Sequence, residues 1–453
     1  MRREGDMRVL LMAEQCDPET VSVPLEGWSH SRAISGLTGV GAHTVTQVRN
    51  AEKLARAGAA AATFTAIDSE RIARPMWRLE EMLRGGKGKG WTTVMALRSI
   101  SYRYYERVLW REFGGRVKAG EFDVVHRLTP LSPTLPSAIA RKCRKAGVPF
   151  VIGPINGGVA WPREFDGARR REKEWLSYVR GAYRMAPGSR AMRDAASAII
   201  VGSRDTLKLE PERYHDKCVY IPENAVDPAR FTGTGVTKDA PSPMRVAFVG
   251  RLVPYKGADM LIEAAAPLVR DGAVVVDLIG DGPEKRRIDA IIEREGIGHG
   301  VERPGWVPHT QLKDRLGRAH VFGFPSVREF GGAVVLEAMA LGVVPVVMDY
   351  GGPGELVTPR TGVAMPMGPR GEIVERLRAA LRDLADRPAD VADMGARARQ
   401  RVLSHFTWEA KARQVLEVYR WVLGERGKPD FGMPLPDLSD REFTSAASVG
   451  QAA

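Results

Sequence analysis

Residues 325–340 read PSVREFGGAVVLEAMA, and this stretch decides the fold. The run before it, His320 to Phe324, is short, as in a buried strand, and Gly332 to Ala340 has the length and composition of a helix. A strand that feeds a helix through two glycines, Gly331 and Gly332, is the turn of a parallel α/β sheet. The free N–H groups and dipole of such a helix start attract anions or sugar oxygens. Glu337 lies inside the helix between Leu336 and Ala338, so its carboxylate needs a partner, and diol hydroxyls are good ones. Glu329 precedes the glycines and is expected at the mouth of a cleft. On spacing alone, a helix cap with one surface carboxylate fits the same residues.

Upstream, the strand Arg245 to Val249 runs into Gly250-Arg251 and on to Lys256-Gly257. Ligands of open α/β sheets collect at the carboxyl ends of strands. Two fixed cations there offset the charge of a leaving diphosphate, although a solvated basic loop has the same composition. The strand Val274 to Ile279 leads into Gly280-Asp281-Gly282-Pro283 and then a helix from Glu284 to Glu295, so backbone can approach a nucleotide. Gly351-Gly352-Pro353-Gly354 follows the strand Val344 to Met348. Helices over Asp259 to Arg270 and Glu372 to Ala385 complete a Rossmann-like pattern.

The first half repeats the theme. Met7 to Met12, Phe122 to His126, Val148 to Ile152 and Ala198 to Val201 read as strands, with helices over Ala51 to Gly58 and Ser137 to Ala146. A Gly-, Thr-, Ser- and Pro-rich stretch without periodicity marks a linker over 231–244. The expected organisation is a domain over 1–230, the linker, a second domain over 245–405, a helix over 406–423 and an irregular tail over 424–453.

GRLVPYKG, GDGP and EFGGAVVLE, in this order, resemble the retaining glycosyltransferases of family 4. The resemblance runs from Arg245 to about Val363 and implies the GT-B fold, two facing Rossmann-like domains with a cleft between them. It implies that Arg251 and Lys256 bind the donor diphosphate, that Glu329 contacts the transferred sugar and that Glu337 holds the ribose hydroxyls. Gly250, Gly282, Phe330, Gly331, Gly332, Ala333 and Val334 would complete the donor site. Ile221-Pro-Glu223-Asn224-Ala225-Val-Asp227 resembles a family element before the linker, with Glu223 inserted and Ala225 in place of Gly. On the acceptor side, Gly39, Gly41 and His43 stand where a glycine loop is sought, though later than the family's, and Asn156 and Gly157 form a further turn. His126, ending the strand DVVH, matches a histidine often near the family's reaction centre; a strand-end histidine with a satisfied hydrogen bond is the alternative.

The implied reaction moves a sugar from a UDP- or GDP-linked donor to a sugar or lipid-linked acceptor hydroxyl with retention, in polysaccharide or glycolipid synthesis. No carboxylate is obviously placed as a covalent nucleophile, which favours a front-face path. No cofactor is expected, and no metal, since no DxD-type pair stands beside the turns. Rival readings are a glycoside phosphorylase or sugar epimerase on the same fold, and a basic nucleic-acid-binding protein. The last has no zinc-finger, helix-turn-helix or ribonucleoprotein motif behind it, and no nucleic acid is expected.

Composition bears on the acceptor. The 453 residues carry 67 Lys+Arg against 55 Asp+Glu, net +12. Residues 1–240 hold 39 basic and 27 acidic side chains, while residues 241–453 hold 28 of each, so the whole excess lies in the first half. Residues 76–118 place Lys87, Lys89, Arg98, Arg103, Arg107, Arg111, Arg116 and Lys118 among Trp91, Tyr102, Tyr104, Tyr105, Trp110 and Phe113. Arg141 to Lys145 and Arg169 to Arg171 add further basic clusters. Such a helix suits an anionic membrane surface, or else is a solvated helix with an aromatic core stripe. Three separated cysteines, Cys16, Cys143 and Cys218, form no CxxC pair, and the apolar run Val9 to Ala13 is too short for a signal-peptide core. Both suggest a cytoplasmic protein, peripheral at the inner face of the membrane if it meets one.

Overall fold

The computed structural model describes residues 6–20, 22–76, 91–171, 188–231, 243–437 and 439. The chain divides into two compact units, each interlaced along the sequence. The first unit comprises Met1–Gly158, Glu174–Glu223 and Trp408–Phe431, and the second Val159–Lys173, Asn224–Thr407 and Gly432–Ala453. The expected domain over 1–230 therefore gives up Val159–Lys173 to the second unit. The expected linker falls mostly on 232–242, outside the described residues.

In the first unit, seven strands form one parallel sheet: β1 (Met7–Ala13), β2 (Val40–Gln47), β3 (Phe64–Ile67), β4 (Val124–Thr129), β5 (Phe150–Ile155), β6 (Ala198–Val201) and β7 (Cys218–Tyr220). Their order is β3-β2-β1-β4-β5-β6-β7. β1 from Val9 onward and the whole of β4 are buried on both faces, as parallel strands covered by helices must be, and β4 carries the polar His126, Arg127 and Thr129 into that interior. The helices Val23–Ser35 and Trp408–Val422 cover one face, burying Trp28, Ile34, Val415, Val418 and Tyr419 against Val9, Leu11, Val124 and Val151.

In the second unit, β8 (Met244–Val249), β9 (Val274–Ile279), β10 (Val301–Gly305), β11 (Val321–Phe324), β12 (Val344–Met348) and β13 (Val363–Met365) make a six-stranded sheet in the order β10-β9-β8-β11-β12-β13. Both sheets have the doubly wound order in which the strand sequence reverses beside the first strand, at β1/β4 and at β8/β11. The crevice at that reversal is where such sheets bind ligands. Among the described residues the tail has no regular element but is anchored: fully buried Arg401 donates to the carbonyls of Leu356, Leu435 and Pro436 at 3.0, 2.6 and 2.7 Å.

Candidate active site

The reversal in the second unit is bounded by the loops after β8 and β11. The first carries Gly250, Arg251 and Lys256, and the second Glu329, Phe330, Gly331 and Gly332. Lys256 and Glu329, both half-buried, form an ion pair that bridges the two loops. The Lys256 ammonium also lies 4.9 Å from the centroid of the Phe324 ring, which gives the cation an apolar floor. Arg251 is exposed on the same loop as Lys256. The helix Ala333–Ala340 starts after Gly332, and Glu337 sits half-buried within it.

Two backbone contacts set the spacing of the loops. A Cβ at Gly280 would stand 1.9 Å from the Gly250 carbonyl oxygen, and one at Gly352 would stand 1.9 Å from the Phe330 carbonyl oxygen. Only glycine permits either approach. The turns after β9 and β12 thus press directly on those after β8 and β11. Gly282 is held the same way against Leu252. The sequence-derived donor residues therefore lie on neighbouring loops at one sheet edge.

The first unit differs from expectation. Gly39 makes the turn into β2, and Gly41 and His43 lie in the strand's first half, towards the amino end of the parallel sheet. That is the edge opposite the ligand-binding one. His43 bonds Thr65 Oγ1 at 2.8 Å and packs on Phe113, and burial and then Arg116 push its imidazole down. An acceptor role for these three residues is not supported. At the reversal of this sheet stand Gln15 and Thr129 instead, where the Gln15 N–H donates to Thr129 Oγ1 at 3.0 Å. Asn156 and Gly157 do lie at the carboxyl end of β5, but their polar groups bond internally: Asn156 Nδ2 to Glu223 at 3.2 Å, and the Gly157 N–H to Thr206 Oγ1 at 3.1 Å.

His126 is fully buried, and both its ring nitrogens are engaged. The Gly153 carbonyl, 2.8 Å from Nε2, can only accept, so the proton is assigned to Nε2. Nδ1 then accepts from the Tyr419 hydroxyl at 2.6 Å. Burial pushes this imidazole down to about 4. The expected catalytic histidine is, in this structure, a neutral anchor that ties the helix Trp408–Val422 to β4.

The aromatic-basic helix is likewise divided. Lys87 and Lys89, and the side chains of Trp91, Arg98, Arg170 and Arg171, lie outside the described residues. Within Trp91–Lys118, Tyr102, Tyr105 and Phe113 are core residues, whereas Arg103, Arg107, Arg111 and Lys118 face solvent. Among the described residues, no helix is long and apolar enough to cross a membrane.

Sequence reasoning missed Tyr255 and Arg328, which flank Lys256 and Glu329 in the chain, and Trp161, which packs on Tyr255 and Arg328. For Tyr255 and Arg328 the available signal was their place next in sequence to Lys256 and Glu329, a signal that Trp161 lacks.

A doubly wound pair of Rossmann-like domains, with cations and a carboxylate at one strand reversal, defines the GT-B class of glycosyltransferase architecture. Residues 237–401, within the second unit, match the family model for glycosyl transferases group 1. The alpha-maltose-1-phosphate synthase of Mycolicibacterium smegmatis is 33% identical over 250 residues, 51% of this chain and 63% of its own. A GDP-mannose-dependent monoacylated alpha-(1-6)-phosphatidylinositol monomannoside mannosyltransferase of Corynebacterium glutamicum is 28% identical over 260 residues, 52% of this chain and 66% of its own. The matched stretch spans under two thirds of each relative. Among solved structures, Anabaena HepE in complex with UDP and glucose superposes with a TM-score of 0.52 at 16% identity, covering 91% of this chain and 98% of that one.

Proposed function

We propose that the chain is a retaining glycosyltransferase that moves a hexosyl group from a UDP- or GDP-linked donor to an acceptor hydroxyl, in the synthesis of a cell-surface polysaccharide or glycolipid. The observation that carries this reading is the Lys256–Glu329 pair across the β8/β11 reversal, with Arg251 on the same loop as Lys256 and a helix start at Gly332. A diphosphate drawn to Lys256, Arg251 and the helix start frees the Glu329 carboxylate to accept from a sugar hydroxyl. The acceptor oxygen then bonds the anomeric carbon on the face from which the diphosphate departs, and the departing phosphate oxygen takes the acceptor's proton. The enzyme contributes positioning and charge stabilisation, and Glu337 is assigned to the ribose hydroxyls. The UDP complex of HepE supports a uridine nucleotide and the GDP-mannose dependence of the corynebacterial relative a guanosine one; both stay in the test.

The same reading places the acceptor at an anionic membrane. The exposed Arg103, Arg107 and Arg111, four residues apart, share one helix stripe, and Arg141, Lys142 and Lys145 follow on the helix Ile139–Lys145. Burial, with Lys118 and Arg107 nearby, pushes the Lys142 ammonium below its ordinary value.

A panel of nucleotide sugars, scored by thermal shift and by product formation, tests the function. At least one should raise Tm and yield an axial-to-axial or equatorial-to-equatorial product by NMR, in the presence of a chelator. Glu337→Ala should weaken nucleotide binding, and Lys256→Ala should lower kcat about a hundredfold or more. A wild-type protein that no nucleotide sugar shifts contradicts the reading; turnover that needs phosphate and no nucleotide points to a phosphorylase.

A further inference from the structure

The segment from Val159 to Phe165 comes from the first half of the sequence yet belongs to the second unit. The Val159 carbonyl accepts from Arg328 Nε at 3.1 Å, and the Ala160 carbonyl accepts from the Tyr350 hydroxyl at 3.0 Å. Trp161 meets Tyr255 edge to face with centroids 5.9 Å apart, and the Arg328 guanidinium lies 5.1 Å from the Trp161 ring centroid. Val159 is buried with a methyl against Gly351. The short helix Asp166–Arg171 then rests on the turn Pro254–Lys256.

All of the anchors but Tyr350 are chain neighbours of residues in the candidate site. Tyr255 precedes Lys256, Arg328 precedes Glu329, and Gly351 precedes Gly352. The three loops follow β8, β11 and β12, which are adjacent in the sheet. The segment therefore spans the loops on both sides of the ion pair. Its fixings combine backbone carbonyls, which tolerate little displacement, with an edge-to-face ring contact and a guanidinium–aromatic contact whose fixed fork geometry a lysine does not reproduce.

We propose that Val159–Trp161 is a strap that holds the Lys256 and Glu329 loops at their working separation, with Trp161 and Arg328 as its positioning residues. The proposal rests on the donor-site reading above. Neither side chain needs to touch the donor. The strap fixes where the two charged groups stand, and displacements of about an ångström at a reacting centre cost about two orders of magnitude in rate.

The test compares the wild type with Trp161→Ala, Trp161→Phe and Arg328→Lys, each as the full chain. UDP and GDP binding is titrated, and kcat and KM are measured with whichever nucleotide sugar the panel identifies. Trp161→Ala should keep one nucleotide bound per chain, with Kd within about threefold of wild type, while kcat falls about tenfold or more. Trp161→Phe should recover most of the rate, because it retains an aromatic face for both Tyr255 and Arg328. Arg328→Lys should lower kcat with Tm unchanged. Wild-type kcat in Trp161→Ala overturns the strap, as does a Trp161→Phe rate as low as the alanine variant's. A rate loss matched by an equal loss of nucleotide-binding chains also overturns it, since that marks a folding defect. If the wild type binds no nucleotide, it is the donor-site reading that fails.

Discussion

At the scale of single residues, charge and burial separate two kinds of polar group. Lys256 and Glu329 are half-buried and face one another across the β8/β11 reversal, where solvent can reach them. His126 is sealed, and its partners are an obligate acceptor and a tyrosine on a distant helix. Tyr419→Phe would leave the Nδ1 lone pair buried without a donor, so it should cost about 1–3 kcal/mol in urea unfolding and leave nucleotide binding unchanged. A loss of nucleotide affinity in that variant would restore a role for His126 at the site. The donor residues were legible in the sequence because glycines, cations and a carboxylate stand within a few positions on each loop. For His126 the sequence offered two readings, and the structure shows the bonded strand-end histidine; the choice could not be made locally because its two partners lie 27 and 293 residues away.

Among elements, the buried strands and their glycine turns were the legible part. Val344–Met348 is found as expected, and the helix expected from Asp259 begins one residue earlier, at Ala258. β2 was missed because VGAHTVTQ is half polar and follows a glycine turn, so it reads as a loop. The helix Pro388–His405 was missed for a similar reason, since its apolar positions are sparse. The interlocked turns are predicted to be intolerant of a methyl group. Gly352→Ala must move Phe330 away, so nucleotide affinity should drop at least tenfold while Gly371→Ala, which meets nothing, leaves it unchanged. Equal affinities in the two variants would mean that the turn spacing does not govern the site. The helix Trp91–Lys118 makes the opposite case: its aromatic stripe is core. Replacing Arg103, Arg107 and Arg111 by Gln should therefore change stability by no more than about 0.5 kcal/mol each. Flotation with anionic vesicles should decrease in the same variant, and flotation equal to wild type would remove these arginines from any membrane contact.

For the whole molecule, buried titrating groups give a pH profile. Unfolded, His30 and His126 take up protons near pH 6.5; folded, burial pushes His126 down to about 4 and His30 to about 3. Their contribution to stability is complete above pH 6.5 and is lost as pH falls towards 4, by about 1.4 kcal/mol per pH unit for each imidazole. Buried Glu26, pushed up by burial, works against them over the same range, because the folded chain holds its proton longer. A comparison isolates one histidine: between pH 6 and 5 the stability of His126→Gln should fall less steeply than wild type, by about 1.4 kcal/mol per unit. Parallel slopes would show that His126 is already charged in the folded state. The threading of the chain has a further consequence, for recombination between relatives. Each compact unit is assembled from three separate stretches of sequence. A hybrid gene spliced once near residue 231 would pair the nucleotide-site loops of one parent with the Val159–Lys173 segment of the other. With the proposed strap, full turnover in such a hybrid requires a second, much smaller graft from the other side of the splice, and single-crossover hybrids should be selected for matching residues at 159–161, 255, 328 and 350.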